Sequence, residues 1–127
     1  MRSVVTKGEG IAMAFNLHPV LSIRLFREEK CYGTGIHQLL QRVDEHHSLR
    51  AAAQSMEMAY SKAWTIVRKC EQELGFPLLI SSTGGKHGGG AALTPEARQI
   101  IAAYERYCQR LRQSAEDLFR EEFRDWL

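Results

Sequence analysis

The chain has 127 residues, enough for one domain or for one domain with an appended helix. Hydrophobic residues make up 44%, which excludes wholesale disorder, and a net charge of +2 neither demands nor excludes a polyanionic partner. Cys31, Cys70 and Cys108 lie far apart without a CxxC pair, so reduced, buried thiols and a cytoplasmic protein are expected. The apolar cluster from Ile11 to Phe15 is too short and too soon broken to be a signal peptide or a membrane span.

In chain order, residues 1–17 carry little periodicity and are read as a loosely ordered tail. Between Pro19 and Cys31 the sequence alternates, with Leu21, Ile23 and Leu25 on one side and Ser22, Arg24 and Phe26 on the other. That is a strand pattern, with a bend near Arg27. Gly33 and Gly35 punctuate the chain. Ile36, Leu39, Leu40 and Val43 then form the buried stripe of a helix over about Ile36–His46.

The stretch from Ser48 to Gly75 is the most informative. Ser48 is placed to cap a short helix from Leu49 to Met56, a break follows at Glu57–Met58, and a longer helix runs from about Tyr60 to Leu74, where Gly75 stops it. Leu49, Ala52, Ala53 and Met56, then Ala63, Val67, Cys70 and Leu74, recur at helical spacing. Small residues at Ala52 and Ala53 let two helices cross closely, as a helix-turn-helix requires. The outward positions of the second helix hold Tyr60, Ser61, Lys62, Thr65, Arg68 and Lys69, hydroxyls and cations suited to the major groove. Trp64 is expected to contribute buried area near the helix junction.

After Gly75, the run Phe76–Ile80 suits a short buried strand, and Ala92–Leu93 its return partner. Between them five of the seven residues from Gly84 to Gly90 are glycine. A hairpin with such a tip, directly after a recognition helix, is the wing of a winged helix, with Lys86 and His87 at the tip for phosphate contact. Thr94–Pro95–Glu96 opens the last helix with a cap, a proline at the first helical position and a carboxylate near the positive pole. No proline or glycine follows, so the pattern allows a helix of up to about 30 residues, roughly 45 Å long. Ile100, Tyr104, Leu111, Ala115 and Leu118 are its candidate dimerisation residues, since a stripe this long outruns the domain and calls for a partner helix from a second copy.

Other chemistries find no support. A P-loop fails because Ile80 stands five positions before Gly85 and His87 follows Lys86. His46 and His47 read as a solvated helix end, and with Cys31 or His37 they have no metal-ligand spacing, so no metal and no cofactor are expected. Asp44 and Glu45 read as helix surface, and no enzyme is expected.

Ser48–Gly75, including the ending Glu71-x-Glu73-Leu74-Gly75, resembles the winged helix of LysR-type regulators. Tyr60, Ala63-Trp64, the glycine-rich wing from Thr83 to Ala91 and Leu93-Thr94-Pro95 resemble more specifically the DNA-binding domain of ModE-type molybdate-responsive regulators. The resemblance covers the chain from about Gly33 to the start of the last helix. It implies a dimeric transcription factor that binds an inverted repeat in double-stranded DNA. Relatives often cap the recognition helix with Asn or Ser. Ala59 stands near that point here, so Ser61 or a shifted start is expected to compensate. Full-length members carry molybdate-binding domains after the long helix, and since this chain ends at Leu127, molybdate is not expected as a ligand.

The expected fold is therefore mainly α with a small β component: a tail over 1–17, a winged helix-turn-helix over 18–94 with a two- or three-stranded wing sheet, and a C-terminal dimerisation helix over 95–127. The expected function is sequence-specific, double-stranded DNA binding by a homodimeric transcriptional regulator, with Ser48 joining the recognition-helix and wing-tip residues as DNA contacts. The alternative is a winged-helix protein–protein interaction module without specific DNA binding.

Overall fold

The structure, a computed structural model, describes residues 16–82 and 90–127. The expected tail lies outside the described residues up to residue 15. From Leu21 to Phe26 burial alternates as the pattern requires, Leu21, Ile23 and Leu25 half-buried and their neighbours exposed. The segment is nevertheless not one strand. It folds back at Arg27–Glu29 into a small antiparallel hairpin of β1 (Leu25–Phe26) and β2 (Lys30–Tyr32), with an irregular register. The turn is held from outside: Glu73 Oε1 accepts the backbone N–H groups of Glu28 and Glu29, both at 3.3 Å, and Arg27 Nη1 donates to the Glu73 carbonyl at 3.2 Å.

Helix α1 spans Thr34–His46 and buries Ile36, His37, Leu39, Leu40 and Val43. It begins two residues before the expected start because Gly33 alone is the boundary, and Gly35 joins the first turn. It ends where His47 enters the left-handed region at φ 59° and returns its N–H to the Val43 carbonyl at 2.7 Å. Helix α2, Leu49–Ser55, is capped by Ser48, whose Oγ accepts the Ala51 N–H at 3.0 Å. Ala52 and Ala53 are buried, so α2 packs against both α1 and the next helix at backbone range. The turn passes through Glu57, left-handed at φ 55°. Helix α3, Tyr60–Leu74, follows and stops at Gly75, also left-handed at φ 88°.

β3 (Leu79–Ser82) and β4 (Gly90–Leu93) pair antiparallel, Leu79 opposite Leu93 and Ser82 opposite Gly90. The hairpin is two-stranded and separate from β1–β2. Leu78, just ahead of β3, carries the burial expected of the Phe76–Ile80 run, while Ile80 is exposed. Ala91 N–H donates to the His47 carbonyl at 3.0 Å, which ties the hairpin to the end of α1. Thr94 then closes the hairpin and opens helix α4 (Pro95–Glu122): its Oγ1 donates to the Pro77 carbonyl at 2.8 Å and accepts the Ala97 N–H at 3.0 Å.

Two compact units result. Ser22–Glu105 holds both hairpins, α1–α3 and the first turns of α4 around a core of Tyr32, Leu39, Leu40, Val43 and Leu78. The other takes in residues 16–21 together with Arg106–Leu127. In this second unit Phe119 stacks on Phe123, centroids 5.0 Å apart, and Trp126 follows on a single 3₁₀ turn, Arg124–Trp126. Among the described residues no helix is long and apolar enough to cross a membrane.

Candidate nucleic-acid interface

The inner face of α3 is fixed by burial of Ala63, Val67 and Cys70. Cys70 lies against β2, its thiol donating to the Cys31 carbonyl at 2.6 Å, and burial pushes that thiol up to about 12. At about 100° per residue the opposite face is then Ser61, Thr65, Arg68 and Gln72. All four are exposed, as are Tyr60 and Lys62. Thr65 Oγ1 donates back to the Ser61 carbonyl at 2.9 Å, which leaves the hydroxyl oxygen as an acceptor for an outside donor.

α3 begins with no side-chain cap. Ala59 itself is the N-cap, in extended backbone, and neither Ser61 nor a shifted start compensates as expected. Lys62 N–H turns back to the Ala59 carbonyl at 3.1 Å, so among the described residues the Tyr60 and Ser61 N–H groups, with the positive end of the helix dipole, are left for an anion.

The cations do not share one role. Lys69 reaches sideways to Glu29 of the β1–β2 turn, Nζ–Oε1 3.1 Å, so part of its charge is met by protein. Arg68 lies over the Trp64 ring, 5.1 Å from the centroid, and approaches Glu71 Oε1 at 3.4 Å. Trp64 is not the buried residue expected at the helix junction: 48% of it is exposed, on the flank of α3 beside the β3–β4 hairpin. Arg50 escaped the sequence reading. It occupies the first turn of α2, where the helix dipole disfavours a cation, and it sits 4.2 Å over the ring of Tyr60. Arg50, Tyr60, Trp64 and Arg68 share a groove of about 340 Å³ whose far wall is Ile80, Ser81, Gly90 and Ala91. An alternation of arginines and aromatics signals such a wall, but only the fold brings Arg50 within reach of Tyr60.

Ser48 is half-buried and uses its Oγ as the α2 cap. Lys86 and His87 lie outside the described residues. Of the dimerisation candidates, Leu118 is 58% exposed, and Ile100, Leu111 and Ala115 are half-buried. Tyr104 is a correction. It is 6% exposed inside the Ser22–Glu105 unit, its hydroxyl donates to the Ile23 carbonyl at 2.6 Å, and its ring packs edge-on against Tyr32. The ring is core of its own domain and has no surface to offer a second copy.

Three helices, the last two joined by a tight turn, followed by a two-stranded hairpin alongside the third helix, define a winged helix-turn-helix, an architecture of DNA-binding domains. Residues 37–98 match the bacterial regulatory helix-turn-helix protein, lysR family, so the chain carries a LysR-type helix-turn-helix domain there. The chain is also similar to a molybdenum-pterin-binding protein and to regulators named ModE. The molybdenum-pterin-binding protein MopB of Rhodobacter capsulatus is 39% identical over 66 residues, 52% of this chain and 24% of that protein. The transcriptional regulator ModE of Haemophilus influenzae is 34% identical over 68 residues, 54% of this chain and 27% of that protein. The DNA-binding transcriptional dual regulator ModE of Escherichia coli K12 is 31% identical over 80 residues, 63% of this chain and 30% of that protein. The chain thus spans less than a third of the length of each of these relatives.

Proposed function

We propose that this protein is a sequence-specific, double-stranded DNA-binding transcriptional regulator that acts in the cytoplasm as a homodimer on an inverted repeat. The observation that carries the reading is the outer face of α3, where Ser61, Lys62, Thr65 and Arg68 stand exposed and Arg68 lines the groove that the β3–β4 hairpin closes. A helix bearing hydroxyls and cations enters the major groove, and the hairpin follows the neighbouring backbone. Arg50 and Lys62, with Lys86, supply phosphate contacts, and Arg68 offers the forked geometry that guanine O6 and N7 accept. Ser48 and Tyr60 contribute alongside them, His87 from the wing tip, and Lys69 contributes once its contact with Glu29 is released.

Dimerisation is assigned to the part-exposed stripe of α4 formed by the half-buried Leu111 and Ala115 and the exposed Leu118. Two-fold symmetry would set the α3 helices in successive major grooves about 34–36 Å apart. The molybdenum in the name of the Rhodobacter capsulatus relative is not carried to this chain, because the similarity reaches 24% of that protein.

Selection of bound duplexes from a random pool, followed by anisotropy titration of the selected site, tests the proposal. An enriched inverted repeat bound far more tightly than scrambled duplex is expected. Binding no tighter than to heparin would discard it in favour of a protein-interaction module.

A further inference from the structure

Glu71 sits on α3 three residues beyond Arg68 and divides its carboxylate between two tasks. Oε2 accepts the backbone N–H of Leu78 at 2.7 Å and of Leu79 at 3.4 Å, at the entry to the β3–β4 hairpin. Oε1 faces Arg68 Nη1 at 3.4 Å. The Glu71 side chain is only 14% exposed, whereas that of Arg68 is 59% exposed. From the other side the Trp64 ring supports the guanidinium face at 5.1 Å.

We propose that Glu71 is a positioning residue for base readout: anchored by the hairpin backbone, it holds Arg68 against Trp64 so that the guanidinium fork meets guanine already oriented. This rests on the DNA-binding reading given above.

An isolated surface ion pair achieves little, because two flexible side chains must be ordered for a screened attraction. Here one partner is already ordered by main-chain hydrogen bonds, and the aromatic shelf restricts the other. Only the residual freedom of Arg68 is lost on docking, which is how preorganisation raises discrimination. Among the described residues Arg68 makes no other hydrogen bond or ion pair, so its remaining donors stay available to a base. Glu71 itself is too enclosed to reach the duplex. Its negative charge near the phosphates is unfavourable for binding in general, so its contribution lies in selectivity and not in affinity.

The test uses the full chain and the duplex enriched from the random pool, with its guanine at the Arg68-dependent position replaced by adenine as the comparison. Arg68→Ala identifies that position by abolishing the preference. Glu71→Gln keeps an oxygen for the Leu78 N–H and presents an amide to Arg68. It is expected to lower the guanine-over-adenine affinity ratio on the order of two- to fivefold, while binding to scrambled duplex stays level or tightens. In an Arg68→Ala background the same change is expected to leave the ratio where it is. Trp64→Leu removes the other support without touching the hairpin anchor, and the same fall is expected.

An unchanged ratio in both variants overturns the inference. So does an equal loss of affinity for all duplexes together with a lowered melting temperature, which would make Glu71 a hairpin anchor alone. If the unaltered protein enriches no duplex, the DNA-binding reading itself falls and takes this inference with it.

Discussion

The Tyr32 hydroxyl lies 2.7 Å from Nδ1 of His37, deep in the core where Tyr32 has no exposed surface. On its other side His37 Nε2 faces Glu105 Oε2 at 3.3 Å, and Gln41 Nε2 donates to that same oxygen at 2.8 Å. A carboxylate can only accept, so Nε2 carries the imidazole proton and Nδ1 accepts from the phenol. β2, α1 and α4 are thereby joined by one polar chain that runs from the buried Tyr32 out to the half-exposed Glu105.

That chain sets a pH dependence. Burial pushes the His37 imidazole below its ordinary value of 6.5, and the opposing pull of Glu105 is the smaller effect. The unfolded chain therefore binds the proton first as pH falls, and the contribution to stability is full above about pH 6.5 and lost as pH drops through the folded value. Tyr32→Phe leaves Nδ1 without its donor, which is expected to destabilise by about 1–3 kcal/mol at neutral pH. Protonation offers no relief, because Nδ1–H would then face the phenyl ring without the acceptor that the Tyr32 oxygen provides, so the deficit should persist towards pH 5. Urea melts of both proteins at the two pH values measure it, and a deficit that vanishes at pH 5 would contradict the assigned hydrogen bond.

Glu57 occupies the turn between α2 and α3 at φ 55°, a conformation that costs a side-chain-bearing residue roughly 1–2 kcal/mol. Glycine there is expected to stabilise the domain by about 1 kcal/mol, the relief being partly offset by the greater freedom glycine gains in the unfolded chain. A chemical denaturation series on Glu57→Gly reads this directly. Destabilisation instead would mean that the Glu57 side chain has a role the backbone geometry does not reveal.

The helix-turn-helix was legible because every boundary in it is chemical. Ser48 can cap, Gly75 can turn left-handed, and Ala52 and Ala53 are small where two helices meet, so the expected limits of α2 and α3 agree with the structure to within a residue. The bend near Arg27 was legible, but the reversal into the β1–β2 hairpin was not, because Arg27–Glu29 contains no turn residue. The turn exists because Glu73, 44 or 45 positions away in sequence, accepts its N–H groups. Trp64 and Tyr104 failed in opposite directions for a related reason. Helical spacing places a residue on a stripe, but which neighbour covers that stripe depends on tertiary contacts. Tyr104 meets Tyr32 and the Ile23 carbonyl, while Trp64 meets Arg68 and the open groove. Arg50 was invisible for the same cause.

Arg50 and Lys69 allow the electrostatic account to be tested against its sequence-only version. If each protomer neutralises about four phosphates, a dimer covers about eight, and the slope of log affinity on log salt should lie near −7. Arg50→Ala removes two contacts per dimer and is expected to make the slope shallower by about 2. Lys69, held by Glu29 at 3.1 Å, should change it far less when replaced by alanine. Equal effects from the two substitutions would show that the ion pair to Glu29 does not survive on DNA.

Leu118 offers the cleanest test of assembly, since at 58% exposure it supports little within its own chain. Leu118→Glu should leave the thermal stability of the isolated subunit almost unchanged. In a two-fold interface the substitution occurs twice, and each lost leucine forfeits about 1.5–3 kcal/mol of apolar burial. Association should therefore weaken by at least about a hundredfold, since each 1.4 kcal/mol is a factor of ten. Sedimentation velocity at micromolar protein would show the dimer boundary replaced by a monomer one. The salt slope on the selected duplex should fall towards half, because one subunit then binds without its partner. A variant that still sediments as a dimer with an unaltered slope would move the interface away from this stripe, and the inverted-repeat geometry would have to be rebuilt on another surface.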